Sequence, residues 1–438
     1  MQKKITGFIL ASVLTLAWPA QAQLNQVFKG VFDRILINDF QLTGTGVHQD
    51  HFKPAADYAN SQLTPSLNSL IARNVASFPL PATAAGVTFD FSSGKLVNIS
   101  ESLGPIFAET AQTLGKSRFN FGVNYTYLSL NKLRGLATRD IRFTFIHQDV
   151  GVVGLGDSEN ESDIVDLFLN LDVNANIFAA FGTYGVTNNL DIGVAIPFVN
   201  LSISGEAFAM VNSFTFANMG NANHRFNMDP LNPDLDDLVA YDESASGLGD
   251  IGLRVKYSFL RGAGLDLAAL LDVRLPTGDE KDFLGTGKTN ARLAWIVSKK
   301  IDTFSPHLNV GYERRAADRD SDQLELTAGF AQKILAGVNF AIEVSGEFDI
   351  NKKEANQFFP RETESIFEQN KNTQARYERR IDLSNIVERN NDNILNASIG
   401  FRAAPSDRFL VLGNVLVPLN DGGLRSNVVP TLGVSVNF

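Results

Sequence analysis

The end of the chain reads VPTLGVSVNF, residues 429–438, and it alternates strictly between two kinds of side chain. One face of this segment carries Pro430, Leu432, Val434, Val436 and Phe438. The other face carries Thr431, Gly433, Ser435 and Asn437. A period of two residues is the pattern of a β-strand with one apolar face and one polar face. The segment is therefore predicted to be a strand that closes the chain.

The same alternation occurs in many earlier segments, for example 338–350 and 251–259. A soluble β-sandwich would point the apolar faces inward, whereas a membrane barrel would point them toward lipid. The joins between segments separate these alternatives. Some joins are very short (187–189, 261–262, 302–303, 335–337 and 405–406), and longer joins, including 213–246 and 352–391, come between those hairpins. Short turns at one end and long loops at the other are typical of an outer-membrane β-barrel.

The predicted wall strands lie near 117–130, 138–149, 163–186, 189–212, 249–260, 265–275, 289–300, 304–314, 322–334, 338–351, 393–404, 406–417 and 429–438. Bacterial barrels have even strand numbers, so a further strand is expected within 86–99. The prediction is thus an all-β fold, an antiparallel transmembrane β-barrel of about 14 strands. The alternative is about 12 strands, if 138–149 and the first segment are not part of the wall.

Residues 1–22 have the form of a cleavable signal peptide, with Lys3 and Lys4, an apolar stretch and a small-x-small site. Residues 23–85 lack alternation and contain two amphipathic helical patterns, 25–37 and 62–75. We expect this N-terminal helical segment to be a plug in the barrel; a periplasmic extension or a poorly ordered leader are the alternatives. Residues 86–438 are predicted to form the barrel.

The composition excludes several classes of function. The sequence has no cysteine, and its formal charge is −10, which offers no basic surface for nucleic acid. It has no GxSxG segment or ordered Ser/His/Asp set, so an enzyme is not expected. His48 and His51 have a spacing that a metal could use, but no third ligand lies nearby in the sequence. We therefore predict no catalytic residue, metal or cofactor.

A segment rich in Phe and Met follows Ser204 and is the strongest predicted binding site. Methionine and aromatic side chains form adaptable apolar surfaces. The segment is expected to be a docking site for a hydrophobic solute, or alternatively to pack onto the barrel rim. The predicted substrate-binding residues are Phe208, Met210, Phe214, Phe216, Met219, Phe226 and Met228.

Charged residues on the polar faces of the predicted strands should line the lumen. They are Arg254, Lys256, Asp272, Arg274, Arg292, Glu343 and Glu347. Such residues can form a conduction path or a salt-bridged interior, and any large polar lumen must contain paired charges.

Several segments resemble one family of outer-membrane barrels. They are SLGPIFAETAQTLG (102–115), GTYGVTNNLDIGVAIPFV (182–199), GLGDIGLRVKYSF (247–259) and LDVRLPTGDEKDFLGTGKTNARL (271–293). Together they resemble the barrels named for the MetA-pathway of phenol degradation, which are related to FadL-type channels for hydrophobic compounds. The resemblance covers roughly residues 85 to 438. It implies a barrel with an N-terminal plug that moves hydrophobic or aromatic small molecules inward.

The sequence thus predicts an outer-membrane channel for passive uptake of small hydrophobic or aromatic compounds. A general or structural porin-like barrel without a dedicated substrate is the alternative. The expected partners are outer-membrane lipid, lipopolysaccharide, the hydrophobic solute, and the barrel-assembly machinery through the C-terminal strand.

Overall fold

The fold was analysed in a computed structural model. It describes residues 23–42, 51–76, 87–90, 95–98, 108–147, 163–212, 223–262, 264–317, 319–351, 358, 363–369, 376–406 and 409–436. The predicted signal peptide, His48 and the terminal Phe438 lie outside these residues. Among the described residues, no helix is long and apolar enough to cross a membrane.

The dominant feature is a closed antiparallel barrel. In chain order the strands are β1 Gln41–Leu42, β2 Val87–Asp90, β3 Lys95–Asn98, β4 Arg118–Leu133, β5 Leu136–Ala137, β6 Ile141–Ile146, β7 Ile164–Gly185, β8 Leu190–Asn212, β9 His224–Arg225, β10 Asp236–Leu248, β11 Ile251–Leu260, β12 Asp266–Leu275, β13 Asn290–Ser298, β14 Phe304–Arg314, β15 Asp322–Leu335, β16 Val338–Ile350, β17 Thr363–Gln369, β18 Arg376–Asp382, β19 Ile394–Ser406, β20 Phe409–Pro418, β21 Leu424–Ser426 and β22 Val429–Val436. The barrel closes where β22 pairs with β4, with Thr431 opposite Thr126.

The described residues form a barrel of 12 strands, so the alternative count is confirmed and the preferred count of about 14 is wrong. The segment 138–149 adds no wall strand because β6 lies in line with β4, and both pair with β7. The first candidate strand forms the short hairpin β2–β3, and β2 reaches only the start of β4. The strand β10, inside a predicted loop, does not change the count either, because β10 and β11 follow one another along β8.

The outer surface of the barrel carries a belt of exposed apolar side chains. On β8, Ile192, Ile196 and Phe198 are 45%, 40% and 44% exposed. Trp295 on β13 is 55% exposed and Leu432 on β22 is 60% exposed. An apolar belt around a closed barrel, where every strand has two neighbours, is the arrangement that lipid requires. The protein is an outer-membrane β-barrel.

The N-terminal segment contains α1 (Val27–Asp33), α2 (Lys53–Tyr58) and α3 (Thr64–Ala76), with a short 3-10 helix before α1 and π-helical turns after α1 and α2. Their apolar side chains, such as Phe28, Phe32 and Leu70, are fully buried. They belong to one cluster with the inward-facing residues of β4, β6, β7 and β8. Phe32, for example, packs edge-to-face on Phe143 of β6.

The helices lie toward the end of the barrel that has the long loops. Leu24 donates its N–H to the Asp282 carboxylate in the loop between β12 and β13. Arg73 of α3 forms an ion pair of 3.0 Å with Asp349 at the end of β16. The opposite end of the barrel has the short turns, such as residues 186–189 between β7 and β8.

Candidate functional site

An apolar patch lies on the outer face of the long hairpin formed by β7 and β8. Phe168, Phe208 and Leu238 are direct cross-strand neighbours on β7, β8 and β10. The rings of Phe168 and Phe208 have centroids 6.3 Å apart. These side chains are 40%, 37% and 51% exposed, and Met210, two residues beyond Phe208, is 39% exposed. We call Phe168, Phe208, Met210 and Leu238 the outer patch.

The outer patch is separate from the lipid-facing belt. Between Phe198 and Phe208, the outward side chains of β8 are polar: Asn200, Ser202, Ser204 and Glu206. From the lipid-facing Ile192 to Phe208 the strand is about 53 Å long, and a tilt of about 35–45° leaves about 40 Å of this along the bilayer normal. The apolar belt of an outer-membrane barrel is only about 25 Å tall. The outer patch therefore lies on the water-exposed extension beyond the long-loop rim of the bilayer.

The structure brings only part of the predicted Phe/Met site together. Phe208 and Met210 share the outer patch. Phe226 packs instead on Phe40 of the N-terminal segment, with centroids 5.3 Å apart. Met228 is 78% exposed in the loop before β10. The remaining predicted residues, Phe214, Phe216 and Met219, lie outside the described residues. Phe168 and Leu238 were missed because each comes from another strand.

The seven predicted lumen residues lie on inward-facing positions of their strands. Arg254 donates to Asp272 at 2.8 Å, and Lys256 contacts Glu109 at 3.1 Å. A further pair joins Arg292 to Glu325 at 2.6 Å.

The other lumen residues contact the chain inside the barrel or line its cavities. Arg274 donates to the carbonyl of Ala76, the last residue of α3, at 3.1 Å. Glu343 accepts the N–H of Ala108 at 3.3 Å. Glu347 lines two cavities, described below. The part of the lumen between the N-terminal helices and the short turns, which we call the lower lumen, is thus an ion-paired interior.

The segment 108–117 crosses the lumen near the short-turn end. Ala111 donates its N–H to Ser298 at the lower end of β13, and Leu114 donates to Asp191 at the start of β8. Glu109, in the same segment, contacts Lys256 and lies 3.7 Å from Arg254. The described chain therefore enters the lumen from both ends, with helices at one end and this segment at the other.

A charged cavity of about 80 Å³ lies beside the segment 108–117, and Glu109 is one of its lining residues. Its walls carry both signs of charge, from Glu109, Arg254, Asp272, Arg274, Arg292, Glu313, Arg315, Glu325 and Glu347. A water molecule needs roughly 10–15 Å³ of such space. The cavity therefore has room for several waters in a polar setting.

Two of the segments that suggested the family, 247–259 and 271–293, are joined by hydrogen bonds between Asp250 and the loop that follows β12. Asp250, between β10 and β11, is buried, and its carboxylate accepts the N–H of Gly278 and both the N–H and hydroxyl of Thr286. A Cβ on Gly285 would lie 2.4 Å from the Asp250 carboxylate, which explains the glycine there. The loop turns Phe283 and Leu284 into the same buried cluster as the N-terminal helices.

The structure also contains a buried histidine cluster that was not predicted from the sequence. His51 Nδ1 lies 2.8 Å from His147 Nε2, and His224 Nδ1 lies 2.5 Å from the Asp163 carboxylate. The rings of His147 and His224 are 4.7 Å apart. These residues are far apart in sequence, so no local spacing signals the cluster. Within the described ranges, no group of three His, Cys, Asp or Glu side chains is arranged to hold a metal ion.

Comparison with solved structures finds other outer-membrane proteins. An outer membrane channel from Pseudomonas putida F1 shares 11% identity, with a TM-score of 0.40 over 75% of this chain and 98% of that chain. A FadL homologue from Pseudomonas aeruginosa shares 9% identity, with a TM-score of 0.32 over 73% of this chain and 88% of that chain. The toluene transporter TodX of P. putida shares 10% identity, with a TM-score of 0.33 over 73% and 90%. No curated protein matches the chain.

The family comparison covers the region that holds the folded loop and most of the wall. The profile described as "Putative MetA-pathway of phenol degradation" matches residues 155–413, more than half of the chain. The match includes β7 to β19 and the Asp250-anchored loop. The chain belongs to this family of outer-membrane barrels.

Proposed function

We propose that the protein is a channel for passive uptake of small hydrophobic or aromatic compounds across the outer membrane. The observation that carries the proposal is the outer patch, an apolar surface on the water-exposed part of the β7–β8 hairpin. Exposed apolar surface in water is costly, so a contiguous patch is commonly an interaction site. The family description, which refers to phenol degradation, agrees with an aromatic solute.

In this proposal the outer patch provides the first contact for the solute. The solute then enters the barrel past the N-terminal helical segment, which acts as the plug. The inner side of the same strands is lined by apolar residues such as Leu167, Leu201 and Ile203, all fully buried. A solute that displaces part of the helical packing would therefore meet apolar surface before it reaches the charged lower lumen.

Uptake of a radiolabelled aromatic hydrocarbon by cells that express the protein tests the docking step. The variant carries Phe208→Asp together with Met210→Asp. The two substitutions remove about 40 Å² of apolar contact between the outer patch and the solute, which weakens docking by about 1 kcal/mol. Uptake below saturation should therefore fall about fivefold. Ser204→Asp is the matched control, since it adds a charge to the outward face of the same strand outside the patch.

Unchanged uptake in the double variant, with normal amounts of folded protein in the outer membrane, would contradict the docking step. Liposome swelling tests the alternative of a general pore. The proposed channel should admit small aromatic solutes and exclude sugars of similar size. Equal permeation by both would favour the porin-like alternative.

A further inference from the structure

We propose that the boundary between α3 and the barrel wall contains a binding site for small aromatic carboxylates, with Arg425 as its anion-binding residue. The inference rests on the proposed uptake function and narrows its substrate class. It is drawn from a cavity that is apolar on one side and cationic on the other.

The cavity has a volume of about 60 Å³ and lies beside α3, which contacts β21, and residues of β4 and β20 line it as well. Its apolar side is made by buried wall residues, among them Leu128, Leu130 and Val429. Its polar side includes three guanidinium groups, from Arg73, Arg315 and Arg425, and one carboxylate, Glu347. An apolar wall opposite cationic groups suits a ligand with a ring and an anionic group.

Arg425 is the group in this cavity that lacks a carboxylate in contact. Within the described part of the chain, its guanidinium donates to two amide oxygens, those of Asn396 and Asn420. Glu347 acts on it electrostatically, but no ion pair within 4.0 Å joins the two in that part of the chain. Arg425 is itself buried, with 6% of its surface exposed. A buried cation without a contacting anion is costly, so an anionic ligand would be stabilising there.

The other two guanidinium groups already have carboxylate partners. Arg73 holds Asp349 through both terminal nitrogens, at 3.0 and 3.4 Å. Its Nε is buried and has no hydrogen-bond partner among the described residues. Arg315 donates its Nε to Glu313 at 3.0 Å. Arg425 is therefore the principal site for a new carboxylate, and Arg73 Nε is a second donor in the same cavity wall.

Chemistry favours a carboxylate over other anions of similar size. The planar guanidinium fork matches the two oxygens of a carboxylate, and such bidentate pairs are among the strongest hydrogen-bonded contacts in proteins. The cavity of about 60 Å³ is smaller than the roughly 150 Å³ cavity that holds a benzene ring, so binding of a single ring requires α3 to move away from the wall. The cavity adjoins the charged lower cavity, because Arg315, Glu347, Asn396 and Leu416 line both. A ligand released here would therefore continue toward the short-turn end.

Calorimetric titration of the full-length protein in detergent with benzoate, benzamide and toluene tests the proposal. Wild type should bind benzoate more tightly than benzamide, which has the same shape without the charge. Arg425→Gln should weaken benzoate binding about tenfold or more, because the neutral amide cannot form the charge-assisted bidentate contact with the carboxylate. The same variant should leave toluene binding unchanged. Arg314→Gln is the matched control, because Arg314 is exposed at the end of β14.

Heat-modifiable migration on gels verifies that each variant folds, and Arg73→Gln provides a second variant if Arg425→Gln does not. Equal benzoate affinity in wild type and in the folded variant would overturn the proposal. So would equal affinity of wild type for benzoate and benzamide. Toluene uptake that persists in either case leaves the proposed function standing. Failure of the protein to take up any aromatic compound would instead overturn the proposed function itself.

Discussion

Replacement of Asp250 by Asn should release the loop between β12 and β13 from the barrel. The Asp250 carboxylate accepts three hydrogen bonds, from the N–H of Gly278 at 3.0 Å and from the N–H and hydroxyl of Thr286 at 2.8 Å each. Asparagine keeps one acceptor oxygen and replaces the other with a donor. A donor facing a backbone N–H cannot form a hydrogen bond and leaves that group unsatisfied.

The size of the change in the free energy of loop opening follows from the hydrogen bonds that are lost. Hydrogen bonds to a charged group contribute about 1.5–3 kcal/mol each, and at least one is lost while the others become neutral. We therefore expect the local free energy of opening of the loop to fall by about 3 kcal/mol. This corresponds to an increase of about 150-fold in the open population.

Limited trypsin digestion of the folded protein in detergent measures this opening. The loop contains Lys281 and Lys288, and the appearance of the matching fragments reports cleavage there. In Asp250→Asn, the initial cleavage rate at these sites should rise by about two orders of magnitude, because cleavage of the open form follows its population. Asp279→Asn is the matched control, since Asp279 is exposed and its side chain caps only Lys281 within the loop.

A cleavage rate in Asp250→Asn no higher than in Asp279→Asn would refute this account of the loop. Intact protein that is cleaved at Lys281 as fast as an unfolded sample would refute it as well, because the loop would then be open already. The barrel itself should stay folded in both variants, since the wall hydrogen bonds of β11 and β12 do not involve the carboxylate.

Three further outcomes are expected. The fluorescence of Trp295, whose side chain faces outward, should be quenched by phospholipids with brominated acyl chains and not by aqueous iodide. Gly205→Ala should disturb the β7–β8 hairpin and lower its resistance to proteolysis, because the new Cβ would lie 1.9 Å from the carbonyl oxygen of Asn170. Arg134→Ala should destabilise the rim by about 3–5 kcal/mol in chemical denaturation, since it leaves the buried Asp392 carboxylate without its ion-pair partner.

Strand positions were predictable because the pleat places successive side chains on opposite faces, and lipid and lumen demand opposite chemistry there. The strand predicted over 338–351 is β16, Val338–Ile350, in which Phe340 and Val344 face outward while Glu343 and Glu347 face inward. This rule fails outside the bilayer. The strand β10 was read as loop because its outward residues, such as Asp242 and Ser244, face water instead of lipid.

The parts of the site that come from separate segments could not be read from the sequence. The outer patch joins Phe208 to Phe168 and Leu238 through strand register, which no local pattern reveals. Asp250 was visible as part of a glycine-rich motif, but its role appears only when the loop after β12 folds back onto it. Local periodicity reports the solvent on each face of a strand, whereas sites depend on contacts between distant segments.

The strand β8 runs from lipid into water, and its side chains alternate between the inward and the outward face without a break. In its lower part the outward side chains are apolar, such as Ile192 and Phe198, and the inward Asp191 is buried and polar. In its upper part the pattern is inverted, since Leu201 and Ile203 face inward and are fully buried while polar residues face outward. Lipid explains the first arrangement, and water outside with helices inside explains the second. Phe208 is an outward apolar residue in the part of β8 that faces water. Neither lipid nor the helices account for it, and the docking role proposed above gives this side chain a physical reason to be there.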